Sequence, residues 1–266
     1  MKKLLVLLLA LMLLAVCGVC LAEDEVLVEN DYSYIVLEDG TVRIYQYDTF
    51  NDKETVKIPA KLGGKQVTEL GDWSFSGCTA VKVVIPEGVK TIGEGAFSFA
   101  DALETITILA SVTEIGPYAF QDCASLTAVV IPGPVKELGD EAFSGCGALT
   151  SVKLGEGMES IGQNCFLDCA AMETLSLPST LKMIDFSAFD GCASLTTVVL
   201  PEGIETIETY AFNNCTGLES INLPASLTYI GNAVFEACDA VVITLVENSY
   251  AEIICESFGY AYEYAE

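Results

Sequence analysis

Cysteine, carboxylate and the absence of histidine set what chemistry this 266-residue chain can do. From Cys123 through Cys146, Cys169, Cys192 and Cys215 to Cys238, one cysteine recurs every 23 residues, and Cys78 begins the series with Ala100 in the one intervening place. No histidine occurs anywhere. That removes the usual general base, the usual zinc ligand and every Ser-His or Cys-His nucleophile pair. Side chains at one position of successive repeats point in parallel, whereas a disulfide needs converging Cβ atoms. The column is therefore expected to hold small buried thiols. Cys165 and Cys255 lie off the column and are expected to be the reactive exceptions. No CxxC pair lies beyond residue 22, so no metal is expected. Carboxylates such as Glu87, Glu156 and Glu202 stand without a common register, which argues against a glycosidase. No EF-hand spacing, phosphate-cradling glycine loop or basic-aromatic patch appears, and no cofactor is implied.

The elements that position these residues begin after a distinct head. Lys2 and Lys3 precede an apolar run to Ala22, and acidic residues follow, which is the order of parts in a secretory signal over residues 1–22. Cys17 and Cys20 lie in this segment. The run is also long enough to serve as an uncleaved anchor. Removal takes the net charge from −26 to −28, because Lys2 and Lys3 carry the only charges in it. An exported, strongly acidic protein repels phosphate backbones and anionic lipid, so neither nucleic acid nor membrane insertion after cleavage is expected. The same charge keeps a secreted protein soluble.

A repeat governs the rest. Phe97, Phe120, Phe143, Phe166, Phe189, Phe212, Phe235 and Phe258 follow at intervals of 23, with Phe75 standing 22 before the first. Ile or Leu stands five residues before each, usually followed by glycine; Leu or Met comes six after from Phe97 to Phe212. Pairs such as Val129 with Ile131 and Val152 with Leu154 come nine and eleven after, alternate in and out and end on a turn, so each marks a short strand. The "IGxxAF" segment reads as a turn and a tight 3₁₀-like arc. One coil cannot bury its own apolar face, but stacked coils can. The fold class is an α/β solenoid of short parallel strands, turns and 3₁₀ arcs in about eight coils, on the order of 40 Å long.

The pattern "IGxxAFxxCxxLxxVxLPxxLxx" over residues 67–246 resembles the BspA-like branch of the bacterial leucine-rich repeats. Ala100 in the cysteine column, Asp185 and Glu208 in the glycine column and a one-residue deletion after Cys78 depart from it. The resemblance implies an exported or surface protein that binds host or neighbouring-cell molecules through its repeat face. Residues 23–66 read as an N-terminal cap, a hairpin turning at Asp39-Gly40, and 247–266 as a C-terminal cap of strand, helix and tyrosine-rich strand.

Outward strand positions are the candidate protein-binding surface. Thr105, Ser151, Thr174, Thr197 and Ser220 lie eight residues after phenylalanine, with Ala128; Thr107, Lys153, Ser176 and Asn222 lie ten after, with Val130 and Val199. They form a stripe of small hydroxyls. No aromatic platform falls in these columns, which argues against a specific lectin. The expectation is a secreted or cell-surface, non-enzymatic protein that mediates protein binding or adhesion. A structural spacer without a ligand, or a hydrolase, are the alternatives.

Overall fold

The computed structural model describes residues 25–48 and 54–265. The expected signal segment, with Cys17 and Cys20, lies outside them. The chain winds as a parallel β-solenoid of about nine turns. The 23-residue period is visible in the register itself, where Ala128 pairs with Ser151 and Ser151 with Thr174. Among the described residues, helix is confined to Tyr250–Phe258, beyond the repeats.

Two walls of strand run along the rod. One is the strand face read from the sequence, in two blocks. A six-stranded sheet runs from Thr55–Lys57 through Lys82–Val84, Thr105–Thr107, Ala128–Ile131 and Ser151–Leu154 to Thr174–Ser176. A four-stranded sheet holds Thr197–Val198, Ser220–Leu223, Val242–Leu245 and Tyr262–Tyr264. The other wall is a twelve-stranded sheet built on the Ile-Gly corner. Its repeat strands are two residues each, from Thr91–Ile92 to Tyr229–Ile230, too short for any periodicity to announce them. Asp185 and Glu208, which replace glycine beside this wall, do not interrupt it, since Ile184 still pairs with Ile207 and Ile207 with Ile230.

The hairpin expected at the N-terminus is present. Tyr32–Val36 and Val42–Tyr47 pair antiparallel, and Gly40 takes φ +82° in the loop. Its second strand also pairs in parallel with Lys65–Leu70, and Thr55–Lys57 pairs with Lys82–Val84. Residues 42–47 thus enter one wall and 55–57 the other, ahead of the first sequence repeat.

The third wall is the phenylalanine arc, and it is a series of turns, not a 3₁₀ helix. The residues two before and two after each phenylalanine have positive φ, for example Glu141 (+56°) and Gly145 (+74°) around Phe143, or Asn164 (+52°) and Asp168 (+58°) around Phe166. This kink breaks the run of i to i−3 bonds. Alternate amides keep them, as Ser144 N–H does to Glu141 C=O at 3.1 Å. The rest turn toward the next coil: Glu141, Phe143 and Gly145 N–H each donate to a carbonyl there at 2.8 Å.

Inside the arc the rings stack. Centroids from Phe75 to Phe212 are 5.0 to 5.4 Å apart with planes within 23°, near the coil spacing of about 4.8 Å and in the range of offset stacking. Tyr47 extends the stack at one end, 5.2 Å from Phe75, and Tyr260 closes it edge-on against Phe235. Phe258, though in register by sequence, is not in the stack: it lies at the helix C-terminus, 44% exposed. The Gly259 cap with φ +73° ends the helix there and returns the chain so that Tyr260 fills the place.

This geometry predicts that Phe143→Ala, which empties a fully buried ring site, lowers unfolding free energy in urea by about 3–5 kcal/mol. Phe258→Ala is expected to change it by less than about 1 kcal/mol. Equal losses would contradict the stack.

Candidate functional site

The strand face brings most of the sequence-derived stripe together. Thr105, Ala128, Ser151 and Thr174 stand side by side in one ladder, and Thr197 pairs with Ser220 in the other. No pairing joins Thr174–Ser176 to Thr197–Val198, so the stripe is divided there. The inward residues Leu175 and Leu177 beside the break are only partly buried, unlike Val152 and Leu154 one coil earlier. Hydroxyls bond along the rod: Thr174 Oγ1 donates to Ser151 Oγ at 3.1 Å, and Ser220 Oγ to Thr197 Oγ1 at 3.2 Å. Thr105, Thr107, Lys153 and Ser176 point to solvent.

Asn222 has another role. Its Oδ1 accepts from Leu200 N–H at 2.7 Å and its Nδ2 donates to Leu200 C=O at 2.9 Å, so both ends of the amide hold the neighbouring strand. The valines in the same columns, which a hydroxyl reading passes over, are the prominent apolar points: Val130 is 59% and Val199 70% exposed. Around Val199 a shallow depression of ≈ 200 Å³ is lined by Thr197, Ser220, Asn222 and Thr244. Beyond Lys182 the chain has no further lysine or arginine.

The nine cysteines among the described residues are all free and buried, including the two expected to be reactive. Cys165 has no exposed surface, and burial holds its thiol well above the ordinary range; burial pushes the Cys255 thiol up to about 11. Thiolate formation is disfavoured at both sites, so the expectation of reactivity is corrected. In the column, each thiol from Cys123 to Cys238 donates to the phenylalanine carbonyl of the preceding coil, as Cys123 does to Phe97, Cys146 to Phe120 and Cys169 to Phe143, all at 3.2 Å. A small apolar residue with one weak donor fits this place. Among the described residues no three Cys, Asp or Glu side chains converge to hold a metal ion.

Stacked coils with an inward Ile-Phe-Cys-Leu lining and an outward strand face define a leucine-rich repeat solenoid. The chain belongs to the BspA type leucine rich repeat family, whose profile matches residues 41–173 and 136–262 in six copies. Among solved structures it is similar to the leucine-rich repeat protein TpLRR of T. pallidum, 25% identical over 90% of this chain and 98% of that one, with a TM-score of 0.60. It is also similar to a leucine rich cell surface protein of Faecalibacterium prausnitzii, 22% identical over 87% and 97% with a TM-score of 0.40. A third, a leucine-rich repeat protein from Bacteroides capillosus, is 25% identical over 48% and 97% with a TM-score of 0.45. No curated protein matches the chain.

Buried thiols predict that a thiol reagent modifies no cysteine of the native protein beyond residue 22 and all nine once it is unfolded. They also set an alkaline limit. Because the folded Cys255 thiol titrates at about 11 against 9.0 for an unperturbed thiol, its contribution is fully present below pH 9 and is lost as pH rises toward 11. A urea midpoint that held constant from pH 8 to pH 11 would contradict this.

Proposed function

We propose that this bacterial repeat protein is exported, remains secreted or at the cell surface, and binds another protein through its strand face, without catalysis of its own. The observation that carries the reading is the pairing of exposed Val130 and Val199 with the hydroxyl columns around them. Isolated apolar anchors set in a polar, hydrogen-bonding surround are the makeup of a protein-binding patch. Thr105, Thr107, Ser151, Lys153, Thr174, Ser176, Thr197 and Ser220 supply that surround, with Asn222 beneath it as a support. The acidic net charge favours a neutral or cationic partner on a host extracellular surface or a neighbouring cell. Export rests on the basic-apolar-acidic order of the first residues. Family membership supports a repeat scaffold of this kind, and among the described residues no helix is long and apolar enough to cross a membrane.

The test is binding of the exported form to a panel of purified extracellular-matrix proteins by biolayer interferometry. A saturable partner is expected, with Val199→Glu weakening it by about thirtyfold. The triple variant Thr174→Glu, Ser176→Glu, Thr197→Glu is expected to abolish binding. Normal binding by both variants would remove the strand face from the account. Mass spectrometry of the exported form is expected to place its N-terminus at Glu23.

A further inference from the structure

At one joint of the rod the strand face is open while the other two walls are closed. The amide that leads a face strand reaches back one coil, as Thr174 N–H does to Thr150 C=O at 3.1 Å and Ser220 N–H to Thr196 C=O at 3.2 Å. Backbone groups alternate sides along a strand, so Thr197 and Val199 turn theirs back toward Glu173 and Leu175. No ladder forms there: one block of the face ends at Thr174–Ser176, the next begins at Thr197–Val198, and neither the Thr197 nor the Val199 amide donates across. The chain reaches back only ahead of the strand, where Ser194 N–H donates to Ala170 C=O at 3.1 Å, a bond with no counterpart in the other described coils.

The same joint is tight elsewhere. On the arc, Phe166 N–H donates to Ala188 C=O and Asp168 N–H to Asp190 C=O, both at 2.8 Å, and the Phe166 and Phe189 rings stack at 5.3 Å with planes 6° apart. On the Ile-Gly wall, Met183 pairs with Thr206 and Ile184 with Ile207. The period across the joint is the usual 23 residues, so no inserted loop forces the face apart. Leu175 is what singles the joint out in the sequence. The first inward place of the strand holds a β-branched residue in the other coils, namely Ile106, Val129, Val152, Val198 and Ile221, and leucine here. Branching at Cβ suits a pleated strand, and leucine suits it less. Pairing and cover are lost together: Leu175 and Leu177 are only partly buried, as are Ile106 and Ile108, where the ladder to the next coil thins to the single pair of Thr105 with Ala128.

A rod held along two walls and free along the third bends about its closed side. We propose that this joint is a hinge, held open by Leu175, at which the coils before Ser176 and those after Thr197 move as two rigid blocks. The strand face opens and closes there, while the phenylalanine stack and the Ile-Gly wall keep their register. In the closed form Thr197 N–H donates to Glu173 C=O and Val199 N–H to Leu175 C=O. Thr174, Ser176, Thr197 and Val199 stand on the two lips, so the hinge sets the curvature of the stripe. It rests on backbone pairing and stands whether or not that face binds a protein.

Amide exchange followed by NMR on the exported form reads the opening. Thr197 and Val199 are expected to exchange at least about tenfold faster than Ser151 and Lys153, their counterparts in a paired joint. Leu175→Val, which gives the joint the residue type of its neighbours, is expected to slow both by roughly fivefold. Motion is read separately, by electron paramagnetic resonance of nitroxide pairs on Ser176→Cys with Val199→Cys and, as control, on Val130→Cys with Lys153→Cys, the native thiols being buried. A broad distance distribution is expected across the joint and a narrow one in the control. The proposal is overturned by equal exchange at the four amides, by exchange that Leu175→Val does not slow, or by distributions of equal width. Fast exchange with a narrow distribution across the joint overturns it as well, since that is a fixed gap.

Discussion

The amide of each core phenylalanine cannot bond within its own turn, because the left-handed residue two places before it turns the backbone outward. It donates instead to the next coil: Phe120 N–H to Ala142 C=O and Phe143 N–H to Cys165 C=O, both at 2.8 Å. Two further amides per arc, at the left-handed positions themselves, do the same. This sets the coil separation, and the separation sets the rest. Rings on adjacent coils reach offset-stacking distance, and thiols reach the previous phenylalanine carbonyl. The backbone at the Ile-Gly corner passes so close to its neighbour that a Cβ at Gly139 would meet Pro117 N and one at Gly231 would meet Thr209 N.

The repeat was legible because a constraint applied at every coil leaves a column in the sequence. Phenylalanine, cysteine and the Val-Ile pairs each recur where stacking demands a fixed size and polarity. Elements that the constraint does not touch left no column. The Ile-Gly wall uses strands of two residues, below the length at which alternation is visible. The 3₁₀ reading of the arc failed because positive φ is borne by Glu141, Ser187 and Tyr210 as well as by glycine, so composition hides it. At the ends the chain changes residue type to finish the stack: Tyr47 and Tyr260 occupy places that spacing alone gave to Phe258 or left empty.

The candidate face was legible as positions and less so as chemistry. Alternation marks which residues face outward, but not that Asn222 spends both ends of its amide on Leu200, nor that the ladder divides after Ser176. Exposed valines in the hydroxyl columns look unremarkable one at a time; their significance comes from 59% and 70% exposure among the small hydroxyls around them.

The central claim is that coils are interchangeable units held by contacts between neighbours. It is tested most directly by deleting residues 147–169, one whole period, and comparing urea unfolding with a deletion of 147–158, about half of one. The account predicts that the first protein keeps its β circular dichroism and a cooperative transition, because Cys146 then joins Ala170 in register. The second should lose both. Unfolding of the whole-period deletion to the same extent as the half-period one would contradict the account.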